Sequence, residues 1–144
     1  MSFIDRSVMK LKGDKMLKQN DLIGSWELEA FQIESTTKKI SSWGRNSHGL
    51  LIYTDSGHMS VSINRDIEGD PEDPANIFKS ILFYSGTYQL KDQTIYHQVT
   101  NASNPARIGK EMIRYARLEK DRMTLTTPEE SFGKAILIWK RVSK

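Results

Sequence analysis

The stretch LIGSWELEAFQIE, residues 22–34, decides the fold. It alternates apolar and polar side chains, as a half-buried strand does, and Asn20-Asp21 offers a turn or cap just before it. We read it as a long first strand, with Trp26 near its start placed to plug one end of a closed sheet. If Trp26 and Leu28 point inward, strict alternation puts Phe31 on the outer face.

Outward from that strand, each segment carries its own turn signal. Residues 35–47, STTKKISSWGRNS, read as a polar connection with Trp43-Gly44 in its middle. Residues 48–63 read as a hairpin around Asp55-Ser56-Gly57, with Gly57 in the left-handed position of a bulged turn. That loop sets Thr54 opposite His58, Tyr53 opposite Met59, Leu51 opposite Val61 and Gly49 opposite Ile63. Tyr53, Leu51, Met59, Val61 and Ile63 then share the inner face. The acidic run 66–74 ends in Asp73-Pro74, a helix start with an N-cap and a proline at the first helical position. Ile77, Phe78, Ile81 and Leu82 make an apolar stripe that predicts a helix lying on the sheet, ended by Ser85-Gly86. Five more strands follow, at 86–90, 94–101, 108–118, 122–127 and 133–142. Eight antiparallel strands joined mostly as neighbours predict an all-β, up-and-down barrel with one short helix between its third and fourth strands. Such a barrel has room for side chains or one small ligand.

Composition bounds the function. A chain of 144 residues with 38% hydrophobic and 27% charged side chains suits one globular domain. It contains no cysteine, so disulfides, a thiol nucleophile and cysteine metal sites are excluded. The net charge of +3 belongs to residues 1–20, where five basic side chains meet two acidic ones. We therefore divide the chain into a basic N-terminal extension, 1–20, and a barrel domain, 21–144, that has no basic field for nucleic acid. No apolar run approaches a membrane span, and the first residues lack the apolar centre of a secretion signal, so the expected location is cytoplasmic.

In series these segments resemble a known family. Gly24-Ser25-Trp26 on the first strand with Arg141 on the last is similar to the lipocalin-like (calycin) pattern. There, an arginine of the final strand packs over the tryptophan and closes the barrel floor. HGLLIYTDSGHMSVSI (48–63), YSGTYQL (84–90), the strand holding His97, Ile108-Gly109 and DRMTLTTP (121–128) resemble the lipocalin-like domain family of bacteria and fungi. The resemblance covers about residues 22–141 and implies Gly24, Trp26 and Arg141 as barrel closure. It also implies a small apolar ligand in the interior, although a few barrel relatives catalyse cyclisations or isomerisations.

The residues themselves name candidates for the polar part of such a site. His97, between Ile95 and Val99 in a period-two strand, is expected inward, as a neutral buried histidine, a proton donor or base, or a haem-type ligand. Arg114 shares a face with Met112, Ala116 and Leu118. Turned inward it would need an internal carboxylate or the acid group of a ligand; the opposite parity would put it in solvent with Glu111, Ile113, Tyr115 and Arg117 inward. Tyr53, Tyr88, Met112, Leu51 and Val61 are expected to make the wall. The three histidines lack metal-ligand spacing, and neither a nucleophile elbow nor a phosphate-binding glycine loop is present. No cofactor is expected. The expected function is binding of a small apolar molecule with a polar or acidic end; the alternatives are a cyclase- or isomerase-type enzyme and an interaction module with a filled core. Leu50, Ile52, Ile136 and Ile138 fall on the outer face and make a homodimer a further expectation.

Overall fold

The structure is a computed structural model that describes residues 16–144. The extension expected at 1–20 lies largely outside those residues. Its end does not, because Leu17 is buried in the barrel core and a short helix, α1 (Gln19–Leu22), runs into the first strand.

Nine antiparallel strands follow: β1 (Gly24–Glu34), β2 (Ile40–Ser42), β3 (His48–Tyr53), β4 (His58–Asn64), β5 (Ile81–Lys91), β6 (Thr94–Ala102), β7 (Glu111–Glu119), β8 (Arg122–Thr126) and β9 (Lys134–Ser143). From β3 onward each strand pairs with its sequence neighbour, and β1 pairs with both β3 and β9, which closes the barrel. The eight-stranded barrel is therefore as expected. The ninth strand, β2, is a three-residue addition that pairs with residues 32–34 of β1, beyond the stretch 24–27 taken by β3. Its sequence, Ile-Ser-Ser, is exposed at every residue and carries no alternation to read.

The 48–63 hairpin has the expected register, with Tyr53 opposite Met59, Leu51 opposite Val61 and Gly49 opposite Ile63. Leu51, Tyr53, Met59, Val61 and Ile63 all point into the core.

Two local expectations are corrected. The helix α2 spans only Pro74–Lys79, with the Asp73 side chain accepting from the Ala75 N–H as an N-cap should. Ile81 and Leu82 are not on its stripe; they begin β5, where Ile81 pairs with Asn64 and Leu82 with Ile63. Ladder pairing with β4 outcompetes one more helical turn. Gly86 lies inside β5 instead of ending a helix. A β-bulge places it against β6, where a Cβ would stand 1.8 Å from the Gln98 carbonyl oxygen. The second correction is Phe31. A bulge between Leu28 and Ala30 inserts one residue into β1, so the alternation slips and Phe31 and Ile33 face inward.

The two ends of the barrel differ. One carries tight turns after β3, β5 and β7 together with α1. The other carries the longer loops: 35–39, 43–47, the α2 segment at 65–80, the 103–110 loop with its 3-10 turn, and 127–133. Among the described residues no helix is long and apolar enough to cross a membrane.

Candidate functional site

The tight-turn end is a sealed floor. Trp26 is fully buried and its indole N–H donates to the Leu22 carbonyl at 3.0 Å. The Arg141 guanidinium lies 4.2 Å over the Trp26 ring and donates to the Ile23 carbonyl at 2.8 Å and to the Asp21 carbonyl. These bonds satisfy a charge that burial makes costly. Gly24 fits beneath with φ +130° because a Cβ there would sit 2.2 Å from the Ser143 carbonyl oxygen.

The other end opens into the barrel. A cavity of about 480 Å³ runs inward from the longer loops, within the size range of small-molecule sites. The interior is thus not filled by side chains. Leu51, Val61, Met112, His97 and Arg114, all named from the sequence, line it. Phe31, Trp43, Tyr84 and Trp139 line it too. Trp43 stacks on Phe31 with ring centroids 4.6 Å apart, and the Arg65 guanidinium caps Trp43 at 4.4 Å.

Tyr53 and Tyr88 are not on the cavity wall. Their phenols are committed lower in the barrel: Tyr88 donates to the Thr54 carbonyl at 2.7 Å, and Tyr53 bonds to His97 Nε2 at 2.7 Å. The two rings pack edge to face at 4.7 Å. Tyr84, on the inner face of β5, bonds to the other imidazole nitrogen, Nδ1, at 2.7 Å. His97 is therefore held between two phenols, one toward the floor and one on the cavity. The expected helix at 74–84 hid Tyr84 from sequence reasoning.

Burial sets the charge states. His97 is 1% exposed. Burial, aided by the Arg114 charge, lowers its pKa to about 3, so it is neutral at ordinary pH. Burial also raises Tyr53 and Tyr84 above the usual phenol value, with Arg114 opposing the rise in both. The Arg114 charge therefore reaches all three groups.

Arg114 takes the inward parity, beside Met112, and one of its N–H groups donates to the Ile113 carbonyl at 2.8 Å. Among the described residues no carboxylate lies within ion-pairing distance of it. Arg107 and Lys110 line the same cavity from the 103–110 loop, and Glu130 is the one carboxylate on the lining. The Trp139 indole N–H is buried without a partner on that wall. The described residues contain no cluster of side chains able to hold a metal ion.

The model of the lipocalin-like domain family matches residues 23–142. The chain belongs to that family. This lipocalin-like barrel matches none of the curated proteins. Among solved structures it is similar to an uncharacterized protein from Bacteroides eggerthii DSM 20697, at 15% identity and a TM-score of 0.49, over 85% of this chain and 100% of that one. It is also similar to a redesigned beta barrel, at 12% identity and a TM-score of 0.47, over 86% and 94%. A mutant of the fluorescent protein UnaG matches the lipocalin-like barrel at 13% identity and a TM-score of 0.45, over 88% and 100%.

Proposed function

We propose that this barrel binds a small, mostly apolar molecule through an acidic end, and that binding is its function. The observation that carries the reading is the charge of the cavity. Three cationic side chains, Arg107, Lys110 and Arg114, meet a single carboxylate on an otherwise largely apolar wall. A half-buried guanidinium without an acidic partner is costly in an empty protein and is stabilised by an anionic ligand. Phe31, Leu51, Val61 and Met112 supply the apolar contact.

An acid–base enzyme in the same cavity has less support. Efficient proton transfer calls for a group titrating near the working pH. His97 is lowered to about 3 and Tyr84 and Tyr53 are raised, so all three move away from neutrality.

A pair of fluorescent probes tests the reading. 8-Anilinonaphthalene-1-sulfonate and N-phenyl-1-naphthylamine share one aromatic frame, and only the first carries an anion. The sulfonate should bind at least about tenfold more tightly, a difference of one charge-assisted contact. Arg114→Met should erase most of that preference. Equal affinity for the two probes, or a preference that survives Arg114→Met, would sink the acid-end assignment.

A further inference from the structure

The hydrogen bonds around His97 fix more than its neutrality. A neutral imidazole has one N–H and one bare nitrogen, whereas each flanking phenol has one O–H. One phenol must donate to the bare nitrogen. The other must accept from the N–H, which leaves its own O–H proton to find a partner elsewhere. Two arrangements are available, and they strand that proton in different places.

If Nε2 carries the proton, Tyr53 is the acceptor and its O–H is left over. Tyr53 is 1% exposed and off the cavity wall, and its hydroxyl has no protein partner besides His97 among the described residues. If Nδ1 carries the proton, Tyr53 donates to Nε2 and nothing near the floor is left unsatisfied. The leftover O–H is then that of Tyr84, which lines the cavity. Buried polar groups are overwhelmingly paired, so the second arrangement is preferred.

We infer that Tyr84 is a ligand-reading residue whose O–H is directed into the cavity as a hydrogen-bond donor, with His97 and Tyr53 as the positioning residues that fix its proton there. The cavity then offers two neighbouring donors, the Tyr84 hydroxyl and the Arg114 guanidinium. The ligand class this selects carries acceptor oxygens at its buried end and no donor of its own there, as a carboxylate or sulfonate does. This selection of ligand rests on the acid-end reading; the direction of the proton does not.

Two measurements on the full chain separate them. In ligand-free protein labelled with 15N-histidine, two-bond proton–nitrogen correlations assigned to His97 should show a pyrrole-type Nδ1 and a pyridine-type Nε2. Tyr53→Phe should leave the proton on Nδ1, where Tyr84 still accepts it, because an Nε2–H would then have no acceptor. A wild-type Nε2–H tautomer would overturn the inference, as would a Tyr53→Phe protein that moves the proton to Nε2. In the second measurement, Tyr84→Phe should weaken 8-anilinonaphthalene-1-sulfonate about tenfold, the cost of one donor to a charged group, and leave N-phenyl-1-naphthylamine unchanged. Unchanged sulfonate binding in Tyr84→Phe would overturn the ligand-reading role. A wild type that does not prefer the sulfonate would overturn the acid-end reading instead, with the tautomer still deciding the direction of the proton.

Discussion

The barrel holds two tryptophan–arginine stacks of nearly the same geometry, at opposite ends. On the floor the Arg141 guanidinium lies 4.2 Å from the Trp26 ring; at the mouth Arg65 lies 4.4 Å from Trp43. Their surroundings differ. Arg141 donates to two carbonyls and Trp26 to a third. The Arg65 Nε is buried without a partner, and the Arg65 Nη2 stands 3.9 Å from a carboxylate oxygen of the exposed Glu68. The ring–cation contact is thus shared by both ends, and the hydrogen bonds around it distinguish a seal from a cover.

The largest test of this contrast is truncation of the floor. Trp26→Ala should cost about 3–5 kcal/mol, the range for deleting a fully buried aromatic. Arg141→Ala should cost about 2 kcal/mol through lost stacking and carbonyls left unpaired. Urea melts would read both. A Trp26→Ala protein within 1 kcal/mol of wild type, on the order of an ordinary surface change, would show that the floor is not the seal described. Gly24→Ala comes next, at about 2–3 kcal/mol, because the added methyl must displace the β9 backbone from a left-handed position.

Those floor residues were legible chiefly through the resemblance, which pairs Gly24 and Trp26 of the first strand with Arg141 of the last; local alternation by itself gave only the two strands. The 48–63 hairpin was legible down to its register, since a three-residue turn ending in glycine leaves few alternatives. The cavity was legible only in part. His97 lies on a strand with clear alternation, whereas the alternation around Met112 and Arg114 allows either parity, and only the pairing of Ile95 with Arg114 and of His97 with Met112 turns both inward. Phe31 was misplaced because a single bulged residue inverts every later side chain on β1, and a bulge has no sequence signature here. Tyr84 was missed because Ile77, Phe78, Ile81 and Leu82 fit a helical stripe. Pairing with Ile63 and Asn64, distant in sequence, decides that segment's conformation. Tyr53 and Tyr88 carried the right parity yet sit below the cavity, and parity says nothing of depth.

Between the two ends lies His97, and acid tests how firmly it is held. In the unfolded chain its pKa is 6.5; in the fold it is about 3. Between those values the unfolded state binds the proton and the native state does not, so stability rises with pH across the window and falls as pH drops through 6.5. Lowering pH from 6.5 to 5, above the range where carboxylates titrate, should cost about 1–2 kcal/mol. His97→Gln should flatten that slope. A wild-type stability that is level between pH 5 and 7 would mean that His97 accepts a proton in place, contrary to its burial between two phenols.

The smallest expected effect is at the mouth, and it separates the stacks most directly. Arg65→Ala removes a ring–cation contact, but it also removes a buried Nε that has no partner, so gain and loss nearly offset. Trp43 keeps its stack on Phe31 at 4.6 Å and the backbone bond from its N–H to the Phe31 carbonyl at 2.9 Å. Stability should therefore change by no more than about 0.5 kcal/mol, as for most surface substitutions. Release of bound 8-anilinonaphthalene-1-sulfonate, followed by stopped-flow fluorescence, should nonetheless quicken, because Arg65 holds the outer face of a ring that walls the cavity. An Arg65→Ala protein as destabilised as Arg141→Ala, with an unchanged release rate, would make the mouth a second seal. Faster release at unchanged stability would establish that the same pair of side chains closes one end of this barrel and only covers the other.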